Sequence, residues 1–220
     1  INTVHITKFP VSARVGGVAV LVALLLGIPL GCIAAMHRGK FLDNLISVIS
    51  TCGIAVPSFV ICTVLMYFLG VHLKILPTYG LTSWKHYVMP VMALSFYPMA
   101  YIMRLMRSSM LDVLGQDYMR TCKAKGVSQA VSIFKPALRN AILPVITYVG
   151  PMLAYTLTGS FVVEKIFTIP GLGGEFIGSI SSRDYTVIMG TTIFLATLLI
   201  VMNVIVDIIY KIVDPRIKLN

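Results

Sequence analysis

Charge is what this chain has least of. Of its 220 residues only 12% are Asp, Glu, Lys or Arg, where an ordinary soluble domain carries roughly 25%. Just 8 of them are acidic. With half the usual surface charge missing, a water-soluble globular enzyme is excluded. Cysteine is scarce as well. Cys32, Cys52, Cys62 and Cys122 show no C-x-x-C spacing, and three of them lie inside apolar runs. Free buried thiols are therefore expected, and neither a disulfide framework nor a zinc site. His5, His37, His72 and His86 are scattered near the ends of those runs, with no partner at i+3 or i+4, so metal ligation has little support.

What the chain has instead is apolar residues: 57% by the AVILMFWYC count, with a mean hydropathy of +0.90. Five runs hold no Asp, Glu, Lys or Arg: Val15–Met36, Leu45–Val71, Tyr87–Met103, Asn140–Val163 and Tyr185–Val206. Together they make up about half the chain. A bilayer core of roughly 30 Å needs about 20 apolar residues as helix. All five runs are close to that length, which predicts an all-α polytopic membrane protein.

The formal charge of +10 could suggest a nucleic-acid partner, but the positions of the basic residues argue against it. Twelve of the 18 Lys and Arg fall in three segments: Arg38 and Lys40, then Arg104 through Arg139, then Lys211 through Lys218. The other six are Lys8, Arg14, Lys74, Lys85, Lys165 and Arg183. Basic residues concentrate in cytoplasmic loops, so the three richer segments are predicted inside and the excess charge reads as topology. The C-terminus is then cytoplasmic and Ile1 external. Five crossings leave the termini on opposite faces, and the chain begins with Ile without the features of a signal peptide. An upstream span is expected on these grounds.

Prolines and glycines recur inside the runs, and a bundle tolerates them because neighbouring groups satisfy the freed carbonyls. Gly27-Ile-Pro-Leu-Gly31 is a GxxxG, which lets two helix backbones approach and so suits a subunit contact, although small residues are common in all membrane helices. Ionisable residues within spans mark ion or proton pathways, and only Asp207 qualifies. Placed i, i+4 with Lys211, it is read in preference as half of a helical ion pair near the headgroups.

The informative connector is Arg104–Arg139, which holds seven of the 18 basic residues. Asp117 is a plausible N-cap for a helix through Tyr118-Met119-Arg120-Thr121-Cys122-Lys123-Ala124-Lys125, and Gly126 can take the left-handed C-cap conformation. Ser128 can cap a second helix through Phe134, and Pro136 stands near the start of the turn that re-enters the membrane. A short helix lying across the membrane face, with small residues Thr121, Cys122 and Ala124, offers a surface another protein can approach. It could equally rest on lipid with its lysines among the headgroups.

Resemblance decides between the two. Arg120-Thr-Cys-Lys-Ala-Lys-Gly126, followed by Ala137-Leu-Arg-Asn-Ala-Ile-Leu-Pro144, resembles the EAA loop of binding-protein-dependent ABC importers. The opening departs from Glu-Ala-Ala, but an Arg-Thr-Ala-like opening is typical of the peptide and nickel branch, so only Cys122 is unusual. Three further segments are similar to that branch: Phe9-Pro-Val-Ser12 leading into Leu26–Gly31, Glu164–Gly174 with Ser182-Arg-Asp-Tyr185, and the tail Tyr210–Lys218. The second of these resembles the external loop of the first permease subunit.

The resemblance implies a type I ABC importer permease fold, a MetI-like helix bundle forming one transmembrane domain over 1–220. In it 104–139 is a cytoplasmic coupling loop and 164–184 an external loop. It implies a permease for oligopeptides or dipeptides in a bacterial or archaeal inner membrane, with nickel or another small solute as the alternative. The expected partners are a homologous second permease subunit, two cytoplasmic ATPases, an external binding protein, the peptide and the lipid bilayer. ATP and Mg would be bound by the ATPases, because Gly171-Leu-Gly-Gly174 is a structural turn and no GxxxxGK[ST] occurs. No catalytic, cofactor or metal residue is assigned. The coupling residues are Asp117, Tyr118, Arg120, Thr121, Lys123, Ala124, Lys125 and Gly126. Arg183 and Asp184 either contact the binding protein or cap the last helix. An ion-driven secondary carrier and an intramembrane enzyme are the weaker readings, because no span carries paired carboxylates or a Ser with His.

Overall fold

The computed structural model describes residues 2–126, 136–157 and 160–213, and within them the side chains from residue 7 onward except those of 120, 123, 210 and 213. Every regular element in these segments is helical. In chain order they are α1 (Asn2–Met36), α2 (Phe41–Ala55), α3 (Ser58–Leu65) continued by a π-helical stretch Met66–His72, α4 (Lys85–Leu114), α5 (Asp117–Ala124), α6 (Leu138–Ala141), α7 (Leu143–Leu157), α8 (Phe161–Ile166), α9 (Leu172–Ser182) and α10 (Tyr185–Val213).

Four stretches are long and apolar enough to cross a membrane: Thr7–Met36, Lys85–Leu114, Leu138–Ile166 and Tyr185–Ile209. The run Leu45–Val71, expected as one crossing, is a pair of helices with a sharp break between them. Phe41–Ala55 and Ser58–His72 meet at a bend of 105°. Its cause is local. Val56 precedes a proline, which disfavours helical ψ, and it is extended at φ −82, ψ 123. Pro57, at φ −62, ψ 144, then starts α3, its carbonyl accepting from the N–H of Val60 and Ile61. Pro10, Pro29, Pro90, Pro98 and Pro151 lie inside continuous helices.

α1 and α4 form the largest contact and run side by side in the same direction. Gly27 and Gly31 make this possible. A Cβ on Gly27 would sit 2.9 Å from Ile102 Cγ2, and one on Gly31 would sit 2.7 Å from the Met103 carbonyl oxygen. The GxxxG is therefore spent within the chain, on α4, and not on a contact between subunits. α2 runs antiparallel to α4, and its Gly53 approaches Ala100 and Phe96. α7 packs between α1 and α10. The main core joins Val20, Ala23, Ile102, Met106, Met110, Ala137, Ala141 and Val145. A second cluster of Cys62, Met89, Ala93, Val163, Phe167 and Ile169 closes the end of the bundle opposite α5.

The segment 164–184, expected as an external loop, is a helical hairpin packed back on the bundle. α8 and α9 contact each other, α8 also touches α3, and α9 also touches α1. The Phe167 carbonyl accepts from the N–H of Gly80, tying the hairpin to the connector before α4.

Candidate functional site: a coupling loop and a cavity

α4 passes into α5 through a tight turn. The N–H of Gly115 bonds the Leu111 carbonyl, that of Gln116 the Val113 carbonyl, and that of Met119 the Gln116 carbonyl. Asp117 is the first residue of α5 instead of the residue before it, a shift of one position of the kind common at helix ends. Helical periodicity then divides the predicted coupling residues. Asp117, Thr121, Ala124 and Lys125 are exposed, at spacings that share one helical face. Tyr118, Met119 and Cys122 are half-buried, with Tyr118 and Met119 against the main core. The Tyr118 hydroxyl accepts from Asn140 Nδ2 at 2.9 Å. Tyr118 thus anchors α5 to the re-entering chain, while Thr121, Ala124 and Lys125 stand exposed. The Thr121 hydroxyl donates to the Asp117 carbonyl, keeping that face compact.

Gly126 ends the helix at φ +70, with no atom of the described residues within 4 Å of an added Cβ. Its need for glycine is conformational, not steric, because L side chains clash with their own backbone in the left-handed region. The side chains of Arg120 and Lys123, the helix expected from Ser128 through Phe134, and the tail Asp214–Lys218 lie outside the described residues.

At the opposite end, Arg183 and Asp184 have the capping role. Arg183 takes the left-handed conformation at φ 58, closing α9. Asp184 Oδ1 accepts from the N–H of Val187, opening α10. Asp207 is exposed and, among the described residues, forms no ion pair with Lys211.

Two buried carboxylates escaped sequence reasoning because they lie just outside the apolar runs. Glu164 is 3% exposed. Ser12 Oγ donates to its Oε1 at 2.6 Å, and the N–H of Gly174 donates to its Oε2 at 2.9 Å. Ser12 Oγ in turn accepts from the N–H of Leu172 at 2.8 Å. One carboxylate therefore joins α1, α8 and the start of α9. Added Cβ atoms on Gly171 and Gly173 would lie 2.4 Å and 3.1 Å from its oxygens, so this turn is built around it. The second buried carboxylate, Asp43, is 2% exposed. It receives Arg107 Nε at 2.5 Å, Arg107 Nη2 at 2.9 Å and the N–H of Gly39 at 2.8 Å.

Between the two ends lies a cavity of about 730 Å³. It is bounded by the α2–α3 break, the middle of α4, the end of α7, the α8–α9 hairpin and the first half of α10. Among the described residues its lining contains no charged residue. Ser58, Tyr97, Tyr155 and Ser160 supply hydroxyls among apolar walls. The arrangement suits a neutral or backbone-recognised solute more than an ion.

Comparison with known proteins agrees with this geometry. Residues 27–219 match the family described as binding-protein-dependent transport system inner membrane component. The dipeptide transport system permease protein DppB of Bacillus subtilis is 51% identical over 212 residues, covering 96% of this chain and 69% of that protein. The oligopeptide transport system permease protein OppB of Haemophilus influenzae is 40% identical over 220 residues, covering 99% of this chain and 72% of that protein. Among solved structures, a chain of the MetNI methionine ABC transporter in an inward-facing conformation superposes with a TM-score of 0.75 at 17% identity, covering 96% of both chains. A chain of an amino acid ABC transporter solved with histidines gives 0.66, covering 98% of this chain and 95% of that one. The fold is thus the type I ABC importer permease bundle, and the chain belongs to the family of binding-protein-dependent transport system inner membrane components.

Proposed function

We propose that this chain is a permease subunit of an ATP-driven importer for dipeptides or oligopeptides, forming half of the translocation path. The observation that carries the reading is similarity along nearly the whole chain to a dipeptide permease, at 51% identity. The uncharged, hydroxyl-bearing cavity supports it, because peptides of varied sequence share only their backbone and are best held by groups indifferent to side-chain charge. A nickel path has less support: among the described residues no group of three His, Cys, Asp or Glu could hold a metal ion. An ion-driven carrier is also disfavoured, because Asp43 and Glu164 are both occupied by hydrogen bonds within the chain.

The partners are a homologous second permease, two cytoplasmic ATPases that bind ATP and Mg, and an external binding protein that delivers the peptide. The exposed face of α5, with Thr121, Ala124 and Lys125, is the surface for the ATPase, and Arg120 and Lys123 are the further residues of this segment assigned to the same contact. Arg183 and Asp184, besides capping, are assigned to contact with the binding protein. The membrane is the bacterial or archaeal inner membrane, and the C-terminus is cytoplasmic by the distribution of Lys and Arg. The ATPases drive the cycle by binding one state of the permease more tightly than the other. Moving a 1:99 equilibrium to 99:1 takes about 5.5 kcal/mol of differential binding.

The test is uptake of tritium-labelled dialanine and trialanine by proteoliposomes holding the co-purified complex and its binding protein. Vanadate-sensitive uptake that survives an uncoupler supports the assignment. Uptake abolished by the uncoupler and indifferent to vanadate would overturn it.

A further inference from the structure

We propose that the Asp43–Arg107 pair is a positioning element of the transport cycle. It ties the helix that carries the coupling loop to the broken span that walls the cavity, so that displacement of the loop is delivered to two adjoining walls of the cavity together. The proposal rests on the reading of α5 as the ATPase contact.

Arg107 stands two turns before the end of α4, which passes through a tight turn into α5. Asp43 stands in the first turn of α2. The two residues are 64 positions apart in sequence and form a two-pronged contact, Nε to Oδ1 and Nη2 to Oδ2. Guanidinium and carboxylate match best in this fork arrangement, which fixes orientation as well as distance. The carboxylate is also held from its own side by the N–H of Gly39 at 2.8 Å and by Ser47 Oγ at 3.5 Å. Asp43 therefore cannot swing to follow Arg107 without breaking its turn, and the two helices must move as one at this point. The aspartate side chain is 3% exposed and the arginine 31%, so solvent does little to loosen the contact.

From Asp43 the rigid path runs up α2 to Ile54, Ala55 and Val56, which wall the cavity at the break before α3. At 1.5 Å per residue this is about 18 Å of helix. From Arg107 the parallel path runs along α4 to Tyr97 and Pro98, on the same cavity, about 14 Å away. The close approach of Gly53 to Ala100 and Phe96 is a second contact between these two paths, nearer the cavity. Apart from the pair, α2 is held to α4 by apolar packing of Ile46 and Gly53 against Ala100 and Met103, which resists separation more than it resists sliding. With the pair, the cavity walls from α2 and α4 keep their relative register.

The experiment uses the reconstituted complex with peptide-loaded binding protein, and reads labelled dialanine uptake and ATP hydrolysis in the same vesicles. Asp43→Asn and Arg107→Gln should each lower uptake at least tenfold while basal hydrolysis stays within twofold of the wild type. Arg107→Lys should fall between, because an ammonium cannot make the paired contact. The D43N/R107Q double variant leaves no unpaired buried charge and should lose no more uptake than the worse single variant, as expected for residues acting as one unit. Wild-type uptake per ATP in the single or double variants would overturn the proposal, and so would losses that multiply in the double variant. Failure of every variant, including Arg107→Lys, to assemble would also overturn it, in favour of a purely structural pair. Gly126→Val in parallel separates the two readings. If it transports normally, the assignment of α5 fails. If it uncouples hydrolysis from uptake while D43N/R107Q does not, only the pair's role fails.

Discussion

At one end of the bundle the chain turns through α5, where Thr121, Ala124 and Lys125 stand exposed. At the other it turns through α8 and α9, where Val163, Glu164, Phe167 and Leu172 are buried. Among the described residues, the first turn is tied down by contacts of Tyr118 and Met119 with the core and by the hydrogen bond that Asn140 donates to Tyr118. The second is cross-linked by a carboxylate that joins α1, α8 and α9, and by glycines that leave it room. Both are turns between membrane-crossing segments in a chain poor in charge, yet they are packed differently. A surface that must be gripped by another protein keeps its polar and small groups outward and needs internal anchoring only on its back. A segment that walls a cavity must satisfy its own polar groups, because no water is dependably there to do so.

The comparison can be broken most directly at Gly126. Gly126→Val should reduce peptide uptake to background. An L residue at φ +70 costs about 1–2 kcal/mol, confined to an exposed turn. The thermal midpoint in detergent should therefore stay close to that of the wild type. A parallel loss of stability and uptake would show that α5 is structural like the hairpin.

Glu164→Ala should do the reverse. It leaves Ser12 and the N–H of Gly174 without their carboxylate partner, and a buried polar group left unpaired costs about 1–3 kcal/mol. The expected fall in thermal midpoint is about 6–12 °C for a loss near 3 kcal/mol, with uptake declining alongside it. An unchanged midpoint would remove the distinction between the two turns. Gly173→Val, whose Cβ would meet the Phe161 nitrogen at 2.9 Å, sharpens the same point. Overpacking typically costs about 1–3 kcal/mol, to be read from the same melting curves.

Smaller effects are expected from the outer contacts. Asn140→Ala and Tyr118→Phe should act alike, since they remove opposite ends of one hydrogen bond. Each should cost about 0.5–1.5 kcal/mol and lower uptake more than it lowers stability. Hydrogen exchange across α5 measures the loosening, and unequal protection in the two variants would show that the bond is not the anchor. Least of all should follow from Lys8→Ala. Its 3.8 Å contact with Glu175 lies between partly exposed side chains, and such pairs contribute about 0–1 kcal/mol.

Much of this could be read before any coordinates were known. Apolar runs located the membrane-crossing segments, and the spacing from Asp117 to Gly126 located α5 and its left-handed end, because a cap and a positive φ are demands made by one or two residues on their own neighbours. The α2–α3 bend was less legible. Six prolines stand inside apolar runs, and nothing local separates Pro57, which breaks its helix, from Pro29 or Pro98, which do not. Glu164 was hidden for another reason. Placed between a run and a Pro-Gly turn it resembles any loop carboxylate, and its burial depends on Ser12, 152 residues away. Gly27 and Gly31 were recognised as a close-approach surface, but which helix would approach them was not encoded nearby.

By itself, then, the sequence determined the class of molecule, the order of its apolar segments, the uneven spread of basic residues between them, and the position of α5. Hydropathy, charge bias and caps are properties of contiguous residues and need no partner to be recognised. Only the tertiary structure decided that the GxxxG is spent on α4, that segment 164–184 folds back as a hairpin around Glu164, and that Asp43 meets Arg107. Each of these joins residues 64 or more positions apart, or depends on which of several similar helices comes alongside. Such pairings follow from the packing of the whole bundle, and no short stretch of chain contains the information that selects them.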